Sequence, residues 1–231
     1  MTDITIDATD GGCFGAYLAE PVGTVPAPAM LVIQEIFGIN ANMRAICDDY
    51  AARGYIAVAP DLFWRQQPGV QLDPLTPEGR EKAMAFYKGF SEAKAMDDLL
   101  ATLAWLRRHP RANGKAGAVG YCLGGKLAFL MAARSGIDAS VGYYGVGIEK
   151  SLDETAAIAR PLMLHIPEED GACPPEARRQ ILDALGKIPH ATAHVYPGAG
   201  HAFARKGGDH YDAEVTRLAN QRTAEFFRAN L

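Results

Sequence analysis

The stretch Gly120-Tyr121-Cys122-Leu123-Gly124-Gly125 constrains the chain more than any other. An apolar run, Ala116 to Val119, leads into it, and a helix-patterned run, Lys126 to Ala133, leaves it. The order predicted is strand, sharp turn, helix. A turn that abrupt holds its apex in a strained backbone conformation, and glycines on either side let strand and helix approach closely. The apex here is Cys122. A thiol at that place stands clear of the sheet above a helix N-terminus, where backbone N–H groups and the helix dipole favour negative charge. The pattern Gly-x-Cys-x-Gly is a nucleophile elbow with a thiol in place of a hydroxyl. The competing reading is a tight turn carrying an inert buried cysteine, so partners elsewhere in the chain have to decide.

The remaining segments supply the sheet that such a turn needs. Ile4-Thr5-Ile6 and Phe14 to Ala19, separated by Asp10-Gly11-Gly12, predict an N-terminal hairpin. Ala29 to Ile33 is apolar without a break, as a strand buried on both faces requires. Asn40 is placed to cap a helix carrying Met43, Ile46, Cys47 and Tyr50; Gly54 ends it, and Ile56 to Ala59 predicts the next strand. Residues Phe63 to Pro77, rich in proline, glycine and glutamine, read as a long excursion over the surface. Helices follow from Thr76-Pro77 to about Lys88 and from Ala93 to Arg108, the second with Met96, Leu99, Leu100, Leu103 and Leu106 as core positions.

Beyond the elbow, strands are expected at Ser140 to Tyr144, Leu162 to Ile166 and Thr192 to Tyr196. Helices are expected near Leu152 to Ile158, from Pro174-Pro175 to Leu185, and from Asp209 to Ala229. Strands alternating with helices give an α/β fold with a mostly parallel sheet covered on both faces, and ligands beyond the carboxyl ends of its strands. A length of 231 residues suits one domain spanning 1–231.

A net charge of −4 without long single-sign runs gives no reason to expect nucleic acid as a partner. No apolar run reaches the roughly 18 residues of a membrane span, and Met1-Thr2-Asp3-Ile4 lacks the basic start and apolar core of a signal peptide. The expectation is a cytoplasmic protein that is not bound to a membrane. Cys13, Cys47, Cys122 and Cys173 are scattered and form no Cys-x-x-Cys pair, so neither a disulfide framework nor a zinc site is indicated. A reducing compartment suits a catalytic thiol.

Six histidines compete to be the base for Cys122. His165 lies inside an apolar strand and reads as core, His194 alternates along a strand, and His109, His190 and His210 fall in loops or at helix ends. His201 alone sits in a glycine-rich loop directly after the last strand, Gly198-Ala199-Gly200-His201-Ala202-Phe203. An acid between elbow and histidine would complete the order nucleophile, acid, histidine. Glu168, Glu169 and Asp170 all leave the strand ending at Ile166. Asp170 is chosen because Pro174-Pro175 and a new helix follow it closely. Its role would be to hold the imidazole in the correct tautomer and to stabilise the imidazolium.

Taken together, Gln34-Glu35-Ile36-Phe37-Gly38, Pro60-Asp61-Leu62, the cysteine elbow, Gly142-Tyr143-Tyr144-Gly145, Asp170 and Gly200-His201-Ala202-Phe203 resemble the dienelactone hydrolase (carboxymethylenebutenolidase) family of α/β-hydrolases over nearly the whole chain. The resemblance implies a monomeric, cofactor-free, metal-free hydrolase acting on a small lactone or ester. Its reaction would open dienelactone to maleylacetate in chloroaromatic degradation, with a carboxylesterase of broader range as the alternative. It implies Ile36 and Leu123 as oxyanion-hole N–H donors, and Glu35 as a carboxylate that interacts with the nucleophile and keeps the thiol poorly reactive until substrate binds. Arg80 and Arg205 would bind the substrate carboxylate, with Phe37, Tyr87 and Tyr144 as pocket walls. The sequence departs from the family's pattern at Met84, where a tyrosine can occur, and at Ala202, where serine or glycine is frequent. Both departures bear on substrate preference.

Overall fold

The computed structural model describes residues 2–231. Among the described residues it has eight strands in one sheet, in the order β1-β2-β4-β3-β5-β6-β7-β8. The chain divides into two compact units, Met1–Gly117 and Ala118–Leu231.

In the first unit, β1 (Thr2–Asp7) and β2 (Cys13–Ala19) form the expected antiparallel hairpin, with Ile6 opposite Phe14. β2 is antiparallel to β4 (Ile56–Pro60), and β4 is parallel to β3 (Ala27–Ile33). All of β4 and all but one residue of β3 are buried, so both faces are covered. Helices α1 (Ala41–Ala52) and α3 (Glu92–Arg108) pack against these two strands, and α2 (Pro77–Lys88) lies between them in sequence. Each starts on a side-chain cap that accepts a backbone N–H: Asn40 from Met43, Thr76 from Gly79 and Ser91 from Lys94.

Two expectations for this unit need correction. Leu100 is 36% exposed: the buried stripe of α3 runs through Met96, Leu99, Leu103 and Leu106, and Leu100 lies off its edge. The segment after β4 is not simply an excursion over the surface, because Leu62, Phe63 and Val70 are buried. The Asp61 carboxylate draws it inward by accepting the N–H groups of Phe63 at 2.9 Å and Gly69 at 2.7 Å. The Phe63 ring then stacks on Phe86 of α2 with centroids 5.3 Å apart. Proline and glycine content marks a loop but says nothing of a buried carboxylate that organises it.

β5 (Ala112–Tyr121) begins in the first unit and ends in the second. In the second unit β6 (Ala139–Tyr143), β7 (Leu162–Glu169) and β8 (Ala191–Gly200) are parallel, with Gly142 beside Leu164 and Leu164 beside Ala193. Helix α4 (Leu123–Arg134) packs on β6, α5 (Pro175–Leu185) on β8, and α6 (Ala213–Asn230) on β6 and β7. A 3₁₀ helix at Ile148–Ala157 stands where a short helix was expected, starting earlier. α6 starts later than expected, at Ala213, because Asp212 is its cap and accepts from Val215 N. β7 and β8 run past their expected ends, with a register shift between Pro167 and Glu169 that sets Glu169 opposite Gly200. Asp170 and His201 therefore leave neighbouring strands at one level.

Candidate active site

The elbow forms where β5 gives way to α4. Cys122 sits between them with φ 55° and ψ −113°, a conformation that a side chain rarely adopts. Two glycines make the turn possible: a Cβ on Gly120 would lie 1.8 Å from the Gly124 carbonyl oxygen, and one on Gly125 would lie 2.5 Å from that of Tyr143. The Cys122 N–H donates to the Tyr143 carbonyl at 3.0 Å, and the Cys122 carbonyl accepts from Gly125 N at 2.9 Å. Tyr143, the last residue of β6, thus clamps the apex from the neighbouring strand. The Gly142-Tyr143-Tyr144-Gly145 segment was legible in the sequence, but this backbone role was not.

The thiol, the imidazole and the carboxylate stand in line. Cys122 Sγ is 3.2 Å from His201 Nε2, and His201 Nδ1 is 2.7 Å from Asp170 Oδ2. Asp170 is buried, and its second oxygen accepts the Ala172 N–H at 2.8 Å. Glu168 and Glu169 are exposed, and Glu168 Oε2 accepts from Gly198 N at 3.3 Å. Of the three acids weighed from the sequence, Asp170 is the one that meets the imidazole. Burial works against a charge on His201, but the bonds to Asp170 and Cys122 outweigh it and push the imidazole from 6.5 up to about 10. The ring is also packed edge-on by Tyr144, with centroids 5.3 Å apart at 65°. Tyr144 is buried and has φ 40°, and Ala202, directly after His201, has φ 64°.

The other cysteines differ in setting. Cys13 is exposed, burial pushes Cys47 far up, and burial, then the Asp170 and Glu149 charges, push Cys173 up to about 11. Among the histidines, His165 is fully buried, as its apolar strand suggested. Leu123 is the first residue of α4 and is buried, so its N–H belongs to the helix start beside the apex.

Glu35, Ile36, Phe37, Arg80 and Tyr87 belong to the first unit, and Arg205 to the second. Glu35 and Phe37 are buried in the turn that follows β3. That turn is tied down by Gln34, whose Oε1 accepts from Leu62 N at 3.1 Å and whose Nε2 donates to the Glu35 carbonyl at 3.2 Å. Leu72 N donates to the Phe37 carbonyl at 2.9 Å. Arg80, Met84 and Tyr87 follow one another at helical spacing on α2, with Met84 45% and Tyr87 37% exposed. Arg80 Nη1 donates to the Pro74 carbonyl at 3.2 Å. Arg205 is half-buried in the turn after His201, where its N–H donates to the Ala202 carbonyl at 2.9 Å.

Among the described residues no helix is long and apolar enough to cross a membrane. A family model described as "Dienelactone hydrolase family" matches residues 14–231. The chain is 48% identical to a protein of Azospirillum brasilense provisionally named carboxymethylenebutenolidase, with all of both chains covered (100% and 100%). It is 42% identical to the carboxymethylenebutenolidase of Pseudomonas putida over 96% of this chain and 94% of that one. A crystal structure from Klebsiella pneumoniae, provisionally assigned as a dienelactone hydrolase, superposes with a TM-score of 0.84 at 25% identity over 99% of each chain. The chain belongs to the dienelactone hydrolase family and is a hydrolase of the α/β-hydrolase fold.

Proposed function

We propose that this hydrolase opens dienelactone (4-carboxymethylenebut-2-en-4-olide) to maleylacetate in the breakdown of chloroaromatic compounds, with Cys122 as nucleophile. The observation that carries the reading is the line from Cys122 Sγ to His201 Nε2 at 3.2 Å and from His201 Nδ1 to Asp170 Oδ2 at 2.7 Å. It occurs in a chain whose relatives are named for that lactonase activity. His201 takes the thiol proton, and Sγ attacks the lactone carbonyl to form an S–C bond and a tetrahedral oxyanion. The oxyanion is held by the N–H groups of Ile36 and Leu123. Its collapse breaks the ring C–O bond, leaving a thioester and an enolate; the enolate takes the proton back from His201 to become the ketone of the product, which leaves the imidazole neutral. His201 then deprotonates a water, which attacks the thioester and releases Sγ.

In the same reading Asp170 orients and stabilises the imidazolium, and Glu35 restrains the thiol in the resting enzyme. Arg80 and Arg205 select the substrate carboxylate through paired hydrogen bonds, and Phe37, Tyr87 and Tyr144 shape the pocket. The test is direct assay of the cis and trans isomers of dienelactone, beside an aryl ester that lacks a carboxylate. Cys122→Ala should lower turnover by several powers of ten. Arg80→Ala and Arg205→Ala should each cost roughly 1.5–3 kcal/mol of transition-state binding for the lactone and far less for the neutral ester. Hydrolysis of aryl esters without dienelactone opening would instead assign a carboxylesterase of broader range. For Glu35, the expected result is faster alkylation of Cys122 by iodoacetamide in Glu35→Gln with no gain in turnover.

A further inference from the structure

His165 is fully buried in β7 between leucine, methionine and isoleucine, yet its ring is not apolar filling. Nδ1 lies 2.7 Å from the Tyr196 hydroxyl on β8, and Nε2 lies 2.8 Å from Thr223 Oγ1 on α6. Thr223 Oγ1 lies 2.7 Å from the Tyr143 hydroxyl on β6, which donates to Asn220 Oδ1 at 2.9 Å. Both ring nitrogens and all three hydroxyls are bonded, so the imidazole joins three strands and a helix into one satisfied polar chain. A leucine would fill such a place at lower cost, because a buried imidazole is stabilising only when both nitrogens find partners.

Two residues of this polar chain, Tyr143 and His165, also hold strained residues of the candidate site through their backbone carbonyls. Tyr143 supplies the carbonyl that accepts the Cys122 N–H at 3.0 Å. The His165 carbonyl accepts the Tyr144 N–H at 2.8 Å, and Tyr144 is the residue packed edge-on against His201. Cys122 at φ 55° and Tyr144 at φ 40° both need surroundings that over-determine them. The Tyr196 ring also packs at a tilt against Phe203, two residues beyond His201, with centroids 5.3 Å apart.

We propose that His165 is a positioning residue for the thiol and imidazole pair: with Thr223 and Tyr143 it fixes where β6 ends, and so where the Cys122 N–H and the Tyr144 ring are held. The inference rests on the reading of Cys122 and His201 as nucleophile and base. It adds that their separation is set from within the sheet, by a buried side chain whose ring bonds go to Tyr196 and Thr223 and not to the reacting pair. A displacement near 1 Å at a reacting pair is worth up to about a hundredfold in rate, so loss of one link should be visible in turnover.

The test uses the full chain and p-nitrophenyl acetate, which does not depend on the lactone assignment. Thr223→Val removes Oγ1 while keeping the volume, and should lower kcat about tenfold with KM changed less than about twofold. Thr223→Ser, which restores the hydroxyl, should return kcat to within about twofold of the parent. His165→Gln, which keeps a donor and an acceptor, should retain more turnover than His165→Leu. If Thr223→Val does not fold, Tyr143→Phe breaks the same chain by removing one oxygen and is expected to show the same kcat loss. Parent-like kcat in the folded Thr223→Val or Tyr143→Phe protein, or equal losses in the valine and serine variants, would overturn the proposal. Undiminished turnover in Cys122→Ala would instead overturn the catalytic reading on which it stands.

Discussion

Among the described residues, three that are not glycine have positive φ, namely Cys122, Tyr144 and Ala202. All three are at the site: one carries the thiol, one packs on the imidazole and one follows the imidazole in sequence. Each conformation costs on the order of 1–3 kcal/mol, and the surrounding hydrogen bonds hold it in place. Burial works against a charge on His201, but its bonds to Asp170 and Cys122 raise it to about 10. In the proposed mechanism the attacking form is a thiolate beside a protonated imidazole. Activity should therefore persist above neutral pH and fall as pH passes about 10, where His201 loses its proton. In Asp170→Asn the supporting carboxylate is gone, and the alkaline limb of kcat/KM should move to lower pH along with a large loss of rate. A limb that stays in place in this variant would show that Asp170 does not hold that proton.

At the scale of elements, the junction of β5 and α4 depends on backbone touching backbone. A Cβ on Gly120 would lie 1.8 Å from the Gly124 carbonyl oxygen, an overlap that no side-chain rotation relieves. Gly120→Ala is expected to cost about 3 kcal/mol of stability and to displace the thiol, lowering the urea midpoint and the activity together. Gly15→Ala in β2 is the control, since nothing lies within 4 Å of the added methyl group, and its midpoint should stay close to the parent's. The strand ends show the same economy. Pairing of Glu169 with Gly200 past the register shift is what lets Asp170 and His201 emerge side by side. A strand ending at Ile166 and another at Tyr196, as the hydrophobic runs predict, would leave both residues in longer loops.

For the whole molecule, two histidines pull the stability curve from opposite sides. The folded-state value of His201 is raised, so its contribution is complete below 6.5 and is lost as pH rises through about 10. His165 is held well below 6.5 by burial, then by the charges of His194 and Arg222. The unfolded chain therefore takes up that proton first, and stability is lost as pH falls below 6.5. Urea midpoints should be highest near neutral pH; His201→Asn should flatten the alkaline flank and His165→Gln the acid flank. We further propose that the chain is a single folding domain, because β5 begins in one compact unit and ends in the other. One calorimetric transition with equal van't Hoff and calorimetric enthalpies is the expected result, and two resolved transitions would contradict it.

Residue spacing alone was enough to place the elbow, the alternation of strands and helices, the helix cap at Asn40, the helix start at Thr76-Pro77, and the order of thiol, acid and histidine along the chain. These are local matters: glycine and proline punctuation, hydrophobic period and capping chemistry all act over a few residues. It was also enough to single out Asp170 among three neighbouring acids, and the geometry places that residue on the imidazole. Other features belong to pairs of segments far apart in sequence. The inward fold of residues 61–70 depends on where the Asp61 carboxylate finds N–H donors, and the exposure of Leu100 on which side of α3 meets the sheet. The bond from Cys122 N–H to the Tyr143 carbonyl depends on β6 lying beside the elbow, and the partners of His165 come from β8 and α6. A histidine in an apolar run reads as core whatever it bonds to; only the packing of strands and helix turns it into the centre of a polar chain, because hydrogen bonds between elements leave no period in the sequence.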